Sequence, residues 1–173
     1  IGVLSSYLYC LINKKNFKEG NDSEESESYV QKVDTFTING IRLEMIRIPG
    51  GSFKMGSNDG DANEKPVQNR QVSSFYLSKY EVTQKLWFVI MNTNPSTVIN
   101  DNYPVNNVSW DDCQLFIQKL NALTGRNFRL PTETEWEYAS KAKLKPEGGI
   151  ETVGYKYSGT STDLSDYAWY SVN

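Results

Sequence analysis

The segment at residues 127–140 constrains the chain's local structure more tightly than any other. It opens as an extended stretch and stops at Pro131, which has no backbone N–H to give to a helix or a sheet ladder. Leu130, directly before that proline, is biased toward extended geometry. Thr132 followed three residues later by Glu135 makes a capping box, so a helix is predicted to start at Glu133. Arg129 lies between apolar Phe128 and Leu130, and Glu133, Glu135 and Glu137 alternate through the start of the helix around Trp136. Acidic side chains suit the partial positive charge of a helix N-terminus, and an arginine fork suits bidentate pairing with one of them. Two readings stay open here. One is a structural ion-pair network beside a buried Trp136; the other is a set of carboxylates arranged for acid–base chemistry.

Four Trp and eleven Tyr argue for a packed core, and 173 residues suit one domain. A net charge of −3 gives no electrostatic case for nucleic acid, and no apolar run reaches membrane-spanning length. The absence of histidine excludes more than any other count. It removes the Ser-His-Asp triad, His-bearing zinc sites and the imidazole general base. Two cysteines, Cys10 and Cys113, make no disulfide framework.

Residues 1–12 form a short apolar patch with two open readings. It is either the remains of a secretory h-region ending at a lipid-modified Cys10, which the bulky Tyr9 argues against, or a truncated apolar end. Residues 18–28 are acidic and serine-rich, as in a solvated linker. Residues 1–33 are therefore expected to be disordered, with the folded domain running from 34 to 173. Residues 35–38 and 41–45 alternate about Asn39-Gly40, which predicts a hairpin with a type I′ turn. Strands are expected over 52–56 and 71–77, with a solvated loop over 57–66. Thr83 is the expected cap of a helix that buries Val82, Leu86, Trp87 and Ile90 and ends at Asn94-Pro95-Ser96. Ser109 and Asp112 open a second helix, with Trp110, Cys113, Phe116, Ile117 and Leu120 as its apolar stripe and Gly125 as its stop. Cys113 on that stripe reads as a core residue, because apolar surroundings disfavour the thiolate. A short strand and turn are expected over 154–160, and residues 163–173 end the chain with aromatics that want a partner surface.

The motif Arg129-Leu130-Pro131-Thr132-Glu133, then Glu135-Trp136-Glu137-Tyr138-Ala139, resembles the signature of the formylglycine-generating enzyme, or sulfatase-modifying factor, family. Pro49-Gly50-Gly51, with Phe53, Met55 and Gly56, is similar to the family's opening strand. Glu64-Lys65-Pro66, Tyr80-Glu81-Val82-Thr83-Gln84, Asn94-Pro95-Ser96 and Pro104-Val105 through Cys113 follow in the family's order. The resemblance runs from about residue 35 to residue 173. It implies an irregular α+β fold of the C-type-lectin-like kind, present as its N-terminal part and truncated at the C-terminus. It makes Arg129, Pro131, Thr132, Glu133, Glu135, Trp136 and Glu137 signature positions with a structural role.

Members of the family include copper-dependent oxidases, iron enzymes that form carbon–sulfur bonds, and surface-displayed binding domains. The family's later Gly-Asn-Val-Trp-Glu-Trp motif and the cysteine pair that follows it are absent, and Val67-Gln68-Asn69-Arg70 stands where a histidine is usual. A Cu(I) site of the oxidase type needs two converging thiolates, which Cys10 and Cys113 are not placed to supply. No catalytic, cofactor-binding or metal residue is therefore assigned, and no cofactor is expected in this chain. Copper or calcium would belong to a complete parent protein. The expected function is an inactive sulfatase-modifying-factor domain; the alternative is a lectin-like binding or structural module of a bacterial envelope. The expected partners are a protein or glycan and the missing C-terminal half of the same domain.

Overall fold

A computed structural model describes residues 11–12, 33–144 and 150–152. They fall into two compact units. No helix among the described residues is long and apolar enough to cross a membrane.

The first unit holds a five-stranded antiparallel sheet and two helices. Strands β2 (Val33–Ile38) and β3 (Ile41–Ile48) form the predicted hairpin, closed at the pair Ile38 and Ile41. Asn39 at φ 47° and Gly40 at φ 83° supply the two positive φ angles that a type I′ turn requires. The free edge of β3 pairs with β6 (Phe75–Ser78). A two-residue strand, β1 (Leu11–Ile12), lies between β6 and β7 (Phe128–Arg129), giving the order β2-β3-β6-β1-β7. These two residues fall inside the 1–33 stretch read as disordered. Leu11 faces Leu77 on one side and Arg129 on the other, so a short pairing of backbone groups fills the gap between two strands. Pairing of that kind leaves no mark on composition.

Helix α1 (Gln84–Met91) starts as predicted, with Thr83 Oγ1 accepting from the Leu86 N–H at 3.3 Å. It ends at Asn92, which takes the left-handed conformation at φ 59°, two residues before the expected stop. Helix α2 (Trp110–Thr124) opens on a complete capping box. Asp112 N donates to Ser109 Oγ at 3.1 Å and Ser109 N donates to Asp112 Oδ2 at 2.9 Å, and Gly125 at φ 65° ends the helix. The two helices meet in the core, where Trp87 stacks on Phe116 with ring centroids 5.0 Å apart. Leu86, Leu120, Met45 and Phe128 are buried in the same cluster, each contributing about 1.5–3 kcal/mol of burial. Cys113 packs partly buried against it. Trp110, expected in the stripe, is 67% exposed because it is the first helical residue and the opening turn projects past the apolar cluster.

The second unit is built on a hairpin of β4 (Gly51–Met55) and β5 (Gln68–Val72), in register from Gly51 opposite Val72 to Met55 opposite Gln68. Helix α3 (Glu133–Lys141) packs on it, and β8 (Ala142–Leu144) pairs with β9 (Ile150–Thr152). The single strand expected over 71–77 is thus two strands in two sheets. Val72 and Phe75 are both buried, yet their odd spacing puts them on opposite faces of any continuous strand. The break at Ser73-Ser74 lets both go inside. The expected features over 154–160 and 163–173 lie outside the described residues.

Candidate functional site

The signature segment folds into α3, and its residues divide by helical geometry. Thr132 and Glu135 form the cap: Glu135 N donates to Thr132 Oγ1 at 3.2 Å, and Thr132 N donates to Glu135 Oε2 at 2.9 Å. Such a cap contributes about 1 kcal/mol. Thr134, Glu137, Tyr138 and Lys141 follow the spacing i, i+3, i+4, i+7, so all four lie on one face. That face meets β4 and the turn after it. Thr134 Oγ1 donates to Met55 Sδ at 3.4 Å. Glu137 Oε1 accepts from the Gly56 N–H at 2.7 Å and from Lys141 Nζ at 2.6 Å. Lys141 Nζ also reaches the carbonyls of Lys54 at 3.2 Å and Gly56 at 3.4 Å. Tyr138 is buried, donates from its hydroxyl to the Pro49 carbonyl at 3.0 Å, and packs its ring 5.2 Å from that of Phe53. Burial raises the Tyr138 phenol above its usual range, which keeps it a neutral donor.

Two glycines on the hairpin answer to this helix and its turn. A Cβ on Gly51 would stand 2.6 Å from the Tyr138 hydroxyl, so glycine leaves room for that hydroxyl where it lies. Gly56 takes φ +90°, with the Glu64 carbonyl where a Cβ would go. The Pro-Gly-Gly strand and the Glu-Trp-Glu-Tyr helix, some eighty residues apart, are therefore two halves of one packed unit.

Trp136 is not the buried aromatic. It is 50% exposed, because two residues amount to roughly 200° around a helix and Tyr138 occupies the inward face. Glu133 is exposed. Arg129 ends β7 in the first unit, where its Nη1 donates to the Leu130 carbonyl at 3.1 Å. Pro131 stands partly buried directly before the Thr132 cap. Cys113 is far from nucleophilic: burial first, then the Asp112 charge, push its thiol up. Among the described residues no three His, Cys, Asp or Glu side chains stand together as a metal site, and Cys10 lies outside those residues.

Sequence reasoning missed Gln84, which is 1% exposed. Its Nε2 donates to the carbonyls of Val98 at 2.9 Å and Pro104 at 3.3 Å. Its Oε1 accepts from Asn94 Nδ2 at 2.9 Å and the Asn100 N–H at 3.1 Å. The available signal was a glutamine at the first position of a helix that is apolar apart from Lys85, followed by a loop rich in asparagine.

A family model for the sulfatase-modifying factor enzyme 1-like domain matches residues 30–173. The chain is 30% identical to the chaperone protein LppX of Paenibacillus barcinonensis, over 75% of this chain and 54% of that protein. It is 26% identical to inactive C-alpha-formylglycine-generating enzyme 2 of Bos taurus, over 73% of this chain and 57% of that protein. The chain thus spans about half the length of the curated relatives it matches. Among solved structures, Treponema denticola variable protein 1 is similar with a TM-score of 0.68 and 25% identity, covering 82% of this chain and 65% of that one. The likeness bears out the expected fold class, an irregular α+β arrangement of the C-type-lectin-like kind.

Proposed function

The chain belongs to the sulfatase-modifying factor enzyme 1-like domain family, and on that premise we propose that its 173 residues act as a non-catalytic binding scaffold. One observation carries this reading. Of the three signature glutamates, the two that are partly buried are already engaged, Glu135 in the Thr132 cap and Glu137 on the Gly56 amide and Lys141, while Glu133 is exposed to solvent. A general acid or base must be free to exchange a proton with a substrate, and Glu137 is instead held in two charge-assisted bonds. Cys113, its thiol disfavoured from ionising, is a poor thiolate ligand for copper. Oxidase chemistry in a longer parent protein would then rest on other residues.

The alternative, a lectin-like binding or structural module of a bacterial envelope, is favoured by the exposed Trp110 and Trp136, since exposed aromatics suit a glycan or protein partner. An envelope setting is supported by the apolar run before Cys10. One preparation assayed two ways tests both. Incubated with copper and a sulfatase-motif peptide, the chain should cause no oxygen-dependent loss of the peptide thiol beyond a metal-only control; loss that depends on the protein would overturn the scaffold reading. Retention on a glycan array without turnover supports the binding module, and a blank array counts against the glycan branch.

A further inference from the structure

Beside the start of α1, a cleft of about 440 Å³ is lined by Lys79, Tyr80, Glu81, Thr83, Asn102 and Pro104. Its two walls are tied together by backbone bonds. Gln84 N donates to the Tyr103 carbonyl at 2.8 Å, Lys85 N to Asp101 at 3.1 Å, and Val105 N to Val82 at 3.0 Å. The volume falls within the range of small-ligand sites, and the walls need no rearrangement to form it.

Glu81 is the group in this cleft that nothing answers. It is half-buried, and among the described residues its carboxylate accepts no hydrogen bond and joins no ion pair. Burial alone pushes it up to about 7, with no neighbouring cation to offset the loss of water. The other charged side chain lining the cleft is Lys79, and it is already taken: its Nζ lies 3.0 Å from Glu44 Oε2 and 5.0 Å over the Tyr80 ring. On the facing loop, Asp101 is 3.8 Å from Lys85. Both nearby lysines are thus matched to acids, and Glu81 is left over. Tyr80 is 62% exposed, and the Asn102 side chain has no partner among the described residues.

A lone carboxylate with one amide oxygen offers too few ligands for a hard metal cation, which takes six or more oxygens. A neutral ligand would leave the carboxylate's charge unanswered. A guanidinium meets every condition, since its planar fork suits a carboxylate, its face stacks on an aromatic ring, and it is weakly hydrated. We infer that this cleft binds an arginine side chain of a polypeptide, with Glu81 as counter-ion, the Tyr80 ring beside the guanidinium, and Asn102 Oδ1 accepting a further N–H. The inference stands whether or not the chain catalyses a reaction.

The test is an NMR titration with N-acetyl-arginine amide as probe and N-acetyl-citrulline amide as its neutral isostere. Saturable shifts at the amides of Glu81, Val82 and Asn102 are expected with arginine and not with citrulline. The Glu81 carboxyl should titrate at lower pH when the probe is bound. E81Q should lose about tenfold or more in affinity, as expected when one member of a charge pair is removed, while its melting temperature at neutral pH does not fall. Equal binding of arginine and citrulline, undiminished binding by a folded E81Q, or no saturable shift with either probe would each overturn the assignment.

Discussion

Gln84 in the first unit and Glu137 in the second each tie a helix to the backbone of a turn, one with a neutral amide and the other with a carboxylate. Gln84 is enclosed, and its amide meets two carbonyls with its two donors and two N–H groups with its oxygen. A side chain that both donates and accepts is required there, and an uncharged one suits partners that are themselves neutral carbonyls and amides. Glu137 keeps about a fifth of its side chain exposed and faces only donors, the Gly56 N–H and Lys141 Nζ. Partial solvation and an adjacent cation make a carboxylate acceptable. The contrast teaches that the chemistry of each hub follows from what its turn presents, carbonyls together with amides in one case and donors alone in the other.

The largest expected effect comes from breaking that match. Gln84→Glu keeps the shape but places a negative charge against the carbonyls of Val98 and Pro104 and removes both donors. A loss of about 3 kcal/mol or more is expected, since a buried charge is left without a partner. Urea denaturation of both proteins measures it. A loss below about 1 kcal/mol would mean the loop rearranges readily and that neutrality at this position is not required.

The matching change in the second unit should be milder. Glu137→Ala strips the Gly56 N–H of its acceptor in a turn that water can reach, so about 1–2 kcal/mol is expected. Glu137→Gln retains an acceptor and should cost less than about half of that. Lys141 keeps its bonds to the Lys54 and Gly56 carbonyls in either variant. If Glu137→Gln proved as harmful as Glu137→Ala, the negative charge rather than the accepting oxygen would be what the turn uses.

The two hubs were not equally legible in the sequence. Capping boxes at Ser109 and Thr132, the Asn39-Gly40 turn and the Gly125 stop are local, each decided by residues within four of one another, and each appears where the pattern puts it. What failed to show depended on contacts across long separations. Tyr138 displaces Trp136 as the buried aromatic because Gly51 makes room for it 87 residues earlier, as the close approach of the two shows. Strand β1 is placed by partners at Leu77 and Arg129. Periodicity reports which residues share a face, but which face turns inward is decided by what packs on it.

Glu81 stands in contrast to Gln84 three residues on, whose side chain is fully answered, and its pH dependence measures what that difference costs. Its carboxyl titrates near 4.5 when unfolded and at about 7 when folded, raised by burial. Below the lower value it is protonated in both states and costs nothing. Between the two values the unfolded chain ionises while the native one holds its proton, so the native state binds more protons and stability falls as pH rises. Above about 7 the full penalty is present. Glu81→Gln removes it, so the variant should melt with the parent at about pH 4 and above it by roughly 1–3 °C at pH 8, a small gain because the group is partly solvated. Saturating arginine probe at pH 8 should raise the parent's melting temperature clearly more than the variant's. Melting curves that stay coincident from pH 4 to pH 8 would mean that water already satisfies the Glu81 carboxylate, and the contrast with Gln84 would then carry no energetic cost.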